Sequence, residues 1–137
     1  MLKFKFFSHT ADIKFRSYGK TLEESFKNSV YALTKSVTDS KVKPKKKLKV
    51  KVKGKDFESL LYEFLEEVLY FIDSKNFFVS KIKNLKIDKK NFKLSATFVG
   101  DLGGSYKIQS DIKAITYSEM FVKKVRDKWI AQVVLDV

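Results

Sequence analysis

The most constraining feature of this chain is an unbroken helical stripe. Phe57, Leu60, Leu61, Phe64, Leu65, Val68, Leu69 and Ile72 recur at i, i+3, i+4 spacing. Asp56 precedes them as an N-cap, and Glu63, Glu66 and Glu67 fall off the stripe. A helix with so wide an apolar face must bury it against another layer, so the rest of the chain has to supply that layer.

Most of the remainder reads as strand. Residues 2–7 and 12–18 are two short strands, and in the second Ile13 and Phe15 point one way while Asp12, Lys14 and Arg16 point the other. Gly19 ends that strand. Thr21 then caps a further helix, with Glu24 completing a capping box and Leu22, Phe26, Val30, Leu33 and Val37 along one face. Residues 41–55 hold nine lysines, no acid and the only proline, Pro44. In the second half of that segment Leu48, Val50 and Val52 alternate with Lys47, Lys49, Lys51 and Lys53. This is the pattern of a half-buried strand with a solvated lysine face, where lysines also guard an edge strand against pairing, or, in a sharper reading, of a patch that tracks phosphates.

After Asn76 the period returns to two. Residues 78–87 and 92–99 read as strands joined by a turn at 88–91, and residues 108–125 and 128–137 supply the last strands. The glycine cluster at 100–104 has neither the spacing of a nucleotide loop nor a following Lys-Ser/Thr, so it reads as a turn. The expected fold is α+β: a mixed β-sheet with two α-helices packed on one face, in a single domain over residues 1–137.

Composition narrows the class. The chain has no cysteine, which excludes disulfides, thiolate metal sites and a cysteine nucleophile and fits a reducing cytoplasm. No signal peptide or membrane span is visible, so a soluble cytoplasmic protein is expected. Net charge is +13, and Arg16 and Arg126 are the only arginines among 29 basic residues. A lysine-rich surface suits nonspecific attraction to RNA or to an acidic partner better than base readout, which favours arginine. It also suits a protein from a hot environment.

The nearly charge-free run WIAQVVLDV ends on Asp136 and Val137. A carboxylate beside Val134 and Leu135 needs water, a cation or hydrogen bonds. With the Val137 carboxylate next to it and Asp12 from the other strand, the set is three carboxylates without sulfur, a hard-oxygen site for Ca²⁺, Mg²⁺ or Mn²⁺. Spacing alone is a weak signal for such a site and by itself favours an exposed strand-end acid, a frayed terminus and a turn aspartate. His9, the only histidine, stands three residues before Asp12, where its ring nitrogens either tie a turn to backbone or ligate the metal.

The stretches HTAD at 9–12, GKTLEE at 19–24, LLYEFLEEVLY at 60–70, IKAITYSEM at 112–120 and WIAQVVLDV at 129–137 resemble the archease family, in the family's order and nearly end to end. Archeases are accessory proteins of the RtcB-type RNA ligase, which joins tRNA exon halves through a guanylylated histidine. The resemblance implies that this protein promotes guanylylation and multiple turnover of that ligase and broadens the nucleotide it accepts. It implies no catalytic residue of its own, and a tRNA met indirectly through the ligase. A divalent cation, Ca²⁺ first with Mg²⁺ and Mn²⁺ as alternatives, would sit at Asp12, Asp136 and Val137, and Lys113 of the KAITY motif matches a position implicated in function. The match is imperfect before Asp111, where family members often carry a histidine and this chain has Leu102-Gly103-Gly104-Ser105-Tyr106; Asp101 and Asp111 keep the acidic character. Two rival classes remain: an RNA-binding chaperone or modulator of a tRNA-modifying enzyme such as a methyltransferase, and a metal-dependent hydrolase using His9 as base.

Overall fold

The chain runs β1 (Phe4–Phe7), β2 (Ile13–Gly19), α1 (Leu22–Val37), β3 (Lys46–Lys53), α2 (Phe57–Lys75), β4 (Phe77–Asp88), β5 (Lys93–Leu102), β6 (Ala114–Val125) and β7 (Lys128–Asp136). This is a computed structural model that describes residues 1–8 and 11–137. His9, and with it the candidate base or ligand, lies outside the described residues.

The α+β class is as expected, but the strands form two antiparallel sheets, β1-β2-β7-β6 and β3-β5-β4, in place of one mixed sheet. The helices account for this. Besides its apolar stripe, α1 buries Ser25, Asn28, Ser29, Ala32 and Ser36. A helix buried over so much of its circumference needs cover on more than one side. It packs on β1, β2 and β7 of the first sheet and on β4 of the second, while α2 packs on β6 of the first and β3, β4 and β5 of the second. An aromatic chain joins these layers: Phe64 stacks on Phe26 at 6.3 Å and meets Phe98 at 5.5 Å, and Phe98 meets Phe71 edge-on at 6.0 Å.

Both N-caps match the sequence signals, whereas the capping box expected at the first helix does not form. The Asp56 carboxylate accepts from Ser59 N–H at 2.7 Å and the Ser59 hydroxyl accepts from Asp56 N–H at 3.2 Å, a reciprocal box. Thr21 caps Glu24 N–H at 3.1 Å, but the Glu24 carboxylate accepts from Lys20 N–H, not from the cap residue. Among the described residues no helix is long and apolar enough to cross a membrane.

Two expected boundaries move. Strand β5 runs on to Leu102, so Gly100 is a buried strand residue and not part of a turn. Residues 103–113 are not strand. Gly103 N–H donates to the carbonyl of Asn76, the α2 C-cap, at 2.7 Å, and Gln109 N–H donates to Val37 O at the end of α1, also at 2.7 Å. Backbone donors that would otherwise extend a strand thus satisfy carbonyls at both helix C-termini.

A candidate functional site where three strands end

The register of the first sheet brings distant acids together. Ile13 of β2 pairs with Leu135 of β7, so Asp12 and Asp136 occupy the next positions outward on adjacent strands. They have the parity of Lys14, Arg16, Gln132 and Val134, which puts both on the sheet face away from buried Phe15, Val133 and Leu135. Directly opposed residues of an antiparallel pair hold their Cβ atoms about 5 Å apart. Asp12 is half-buried and Asp136 exposed.

Strand β6 enters on the other side of β7. Ala114 pairs with Asp136, and Lys113 N–H donates to the Asp136 carbonyl at 2.8 Å. Lys113 is therefore fixed by its backbone beside the Asp136–Val137 end while its side chain is exposed. Two anchors position β6: Glu58, in the first turn of α2, accepts from Val122 N–H at 3.0 Å, and Tyr117 stacks on Tyr62 of α2 at 4.3 Å with planes 8° apart. The ladder breaks between Thr116 and Phe121, where Glu119 adopts φ 55°. Gln132 Nε2 donates to the Glu119 carbonyl at 2.7 Å and Lys14 Nζ donates to its carboxylate at 3.0 Å, so β7 and β2 hold the bulge from both sides.

Sequence reasoning missed the floor beside Asp12. A cleft of about 460 Å³ is lined by Ser8, Asp12, Lys35, Asp39, Gln109 and Ser110 among others. Asp39 ion-pairs with Lys35 at 2.9 Å, and hydrogen bonds from Lys35 and Gln109 hold its carboxyl below the usual carboxylate range. Only the path of the 103–113 connection over the end of α1 brings Gln109 to Asp39, and no spacing rule encodes that path. The same connection accounts for one acid just before it and one within it. Asp101 accepts from the Tyr106 hydroxyl at 2.7 Å and from Leu102 N–H, and the Tyr106 contact lowers its pKa. Asp111 lies exposed near Asp73 of α2, whose carboxyl is raised first by burial and then by the Asp111 charge.

The donor set at the strand ends is oxygen only, the chemistry of a hard cation. Among the described residues no three His, Cys, Asp or Glu side chains form a metal-holding group. Asp12 and Asp136 are two such side chains, and the third donor expected from the sequence, the Val137 carboxylate, is not a side chain.

Residues 4–137 match the model of the Archease protein family. The chain belongs to the archease family. It is 39% identical over 140 residues to an archease of Sulfurisphaera tokodaii, an alignment covering 100% of both proteins. It superposes with a TM-score of 0.80 on the solution structure of Methanobacterium thermoautotrophicum protein 1598, at 31% identity over 98% of this chain and 99% of that one. The fold also matches an archease from Thermotoga maritima described as a possible chaperone, with a TM-score of 0.65 and 22% identity over 97% of this chain and 96% of that one. Three of the archease segments fall on the elements that build the site: Asp12 of HTAD precedes β2, IKAITYSEM runs into the start and bulge of β6, and the terminal segment supplies β7.

Proposed function

We propose that this protein is an accessory activator of an RtcB-type tRNA-splicing ligase, with no catalytic residue of its own, acting as one domain through the strand-end site. The observation that carries this reading is the register that sets Asp12 beside Asp136 and fixes Lys113 against the Asp136 carbonyl.

In this reading Asp12, Asp136 and the Val137 carboxylate hold a divalent cation, Ca²⁺, Mg²⁺ or Mn²⁺. Like charges opposed on neighbouring strands destabilise a sheet, and a shared cation reverses that sign. When bound, such an ion supplies positive charge against nucleotide phosphates. Lys113 supplies a second positive charge from an exposed side chain on a fixed backbone, suited to meeting a phosphate oxygen in a partner's nucleotide site. The contacts around the Glu119 bulge and the Tyr62–Tyr117 stack anchor β6, so the backbone that carries the lysine needs no further ordering and only its side chain has to be fixed on contact. The glycine cluster is not a continuous phosphate loop: Gly100 is packed inside β5 against the Phe78 backbone, and Gly103 lies against the Phe78 ring. That fits a helper better than a self-sufficient nucleotide enzyme.

The test is a guanylylation time course of the cognate ligase with and without this protein, using GTP and then other nucleoside triphosphates. Faster guanylylation, more turnovers per ligase and a wider choice of nucleotide are expected. A ligase whose rate and turnover are unchanged by the protein overturns the reading. The second reading, a chaperone role, draws on the description of the Thermotoga maritima relative. It predicts a gain in soluble partner enzyme with no change in rate per active molecule.

A further inference from the structure

The second sheet carries a feature that the strand-end site does not use. In the β3/β5/β4 register Lys47, Val99 and Lys81 form one cross-strand row, Lys49, Thr97 and Lys83 the next, and Lys51, Ser95 and Lys86 a third; Lys53 and Lys93 begin a fourth that ends on Asp88. All eight lysines are exposed. The opposite face of these strands is core, with Val50, Ala96 and Phe98 buried. On β4 the alignment depends on a register shift between Lys83 and Lys86, with Asn84 at φ 53°, which returns Lys86 to the lysine face.

Seven of the eight form two rows, one on each edge strand, separated by two strand spacings, about 10 Å, and Lys93 stands between them on β5. Along β3 successive lysines repeat about every 7 Å. Between the rows the outward side of β5 supplies a floor of Ser95 and Thr97, closed at one end by buried Val99. Among the described residues none of the eight lysines makes an ion pair. Acids stand only at the two ends of the face and are occupied locally. Asp88 accepts from Lys90 N–H, Asn91 N–H and the Asn91 side chain, and Asp101 accepts from Tyr106. Six of the 16 acids of the chain instead lie within residues 56–73, on and around α2. A face built only for solubility mixes both signs, whereas this one concentrates a single sign at the cost of self-repulsion.

We infer that the outer face of the β3-β5-β4 sheet docks the sugar–phosphate backbone of double-helical RNA. Charge selects a polyanion. The absence of arginine from the face removes bidentate base readout, so binding is independent of sequence. None of the exposed large hydrophobic residues is on a lysine row, so the stacking platform that single strands require is missing. Two parallel cationic rows suit the paired phosphate strands that line the narrow major groove of an A-form helix, where bases are out of reach. The inference is independent of the ligase reading, since it concerns the other sheet and a different ligand.

The test measures binding of labelled RNA duplex, DNA duplex and single-stranded RNA of equal length by fluorescence anisotropy, across a salt series and without ligase. The ladder variant carries Lys49→Gln, Lys51→Gln, Lys83→Gln and Lys86→Gln. The control carries Lys20→Gln, Lys27→Gln, Lys123→Gln and Lys124→Gln, an equal charge change elsewhere. Melting temperatures establish that both fold, and if the ladder variant does not, Lys51→Gln with Lys83→Gln replaces it. The RNA duplex should bind tightest. The ladder variant should lose about tenfold or more in affinity near 0.1 M salt, with a log K against log salt slope shallower by about three, while the control loses far less. Equal losses in ladder and control, absence of RNA binding by the wild type, or tighter binding of single strands or DNA would each overturn the inference. So would a ladder variant that binds RNA normally yet fails to activate the ligase, because that result assigns the face to an acidic protein surface.

Discussion

The backbone N–H of Lys113 donates to the carbonyl of Asp136 at 2.8 Å, so the lysine is held in place by a bond that does not involve its side chain. Position and charge can therefore be separated. Lys113→Ala keeps the backbone bond and removes the exposed side chain beyond Cβ, its amine included. Guanylylation of the ligase should slow markedly, with stability changed by no more than about 0.5 kcal/mol. Rate and melting temperature measured on the same preparation decide it. A large loss of stability would make the lysine structural and remove its proposed role.

Gly100 lies in β5, where an added Cβ would collide with the carbonyl oxygen of Phe78 and approach the Phe77 ring within 2.9 Å. Backbone cannot step aside as a flexible side chain can. Gly100→Ala should destabilise by about 1–3 kcal/mol, read as a lower denaturant midpoint. Gly104 is the matched comparison, with nothing within 4 Å of its added Cβ, and Gly104→Ala should be close to neutral. Equal midpoints for the two variants would mean that β5 is not packed as described.

The sequence carried some of this and hid the rest for identifiable reasons. The α2 stripe, both N-caps and the outward parity of Asp12 were legible because each depends on residues within a few positions of one another. The pairing of β2 with β7 was not. It joins residues more than a hundred positions apart, so two acids that look unrelated in the chain become neighbours. The lysine alternation of β3 could be read, but its matching row on β4 could not. Lys81, Lys83 and Lys86 break the period of two, and only the bulge restores them to one face. The segment 108–113 reads as a continuation of the strand that follows it, but Gln109 N–H goes to the Val37 carbonyl at the end of α1, a partner that no local pattern encodes.

Asp73 sits in the last turns of α2, where a negative charge opposes the helix dipole, and its carboxyl is raised first by burial and then by Asp111. An acid with a raised folded pKa binds more protons folded than unfolded across the window that opens at the ordinary aspartate value and extends upward. Through that window stability falls as pH rises. Asp73→Asn should therefore raise the melting temperature at neutral pH, and the gain should vanish at pH values below the ordinary aspartate range, where the wild-type carboxyl is protonated in both states. A gain that persists undiminished in acid would trace the effect to packing and not to charge.

The strand-end site makes its sharpest demand on Val137. If its carboxylate is a donor, appending a few small neutral residues moves that charge away and leaves every side chain in place. Such a C-terminal extension should weaken Ca²⁺ or Mn²⁺ affinity in a calorimetric titration, with circular dichroism unchanged. An N-terminal extension of equal length should be milder, since Met1 is not a proposed donor. Asp136→Asn keeps the shape of the side chain and removes its charge, and Asp12→Ala removes the donor opposite it in register; each should lower affinity at least as much as the extension. The Lys113 N–H bond to Asp136 is a main-chain contact, so Asp136→Asn leaves the entry of β6 intact and reports on the carboxylate alone. An extended protein that binds metal like wild type would withdraw Val137 from the set and leave a two-carboxylate site. Unchanged binding by Asp12→Ala and Asp136→Asn as well would remove the metal from the strand ends altogether.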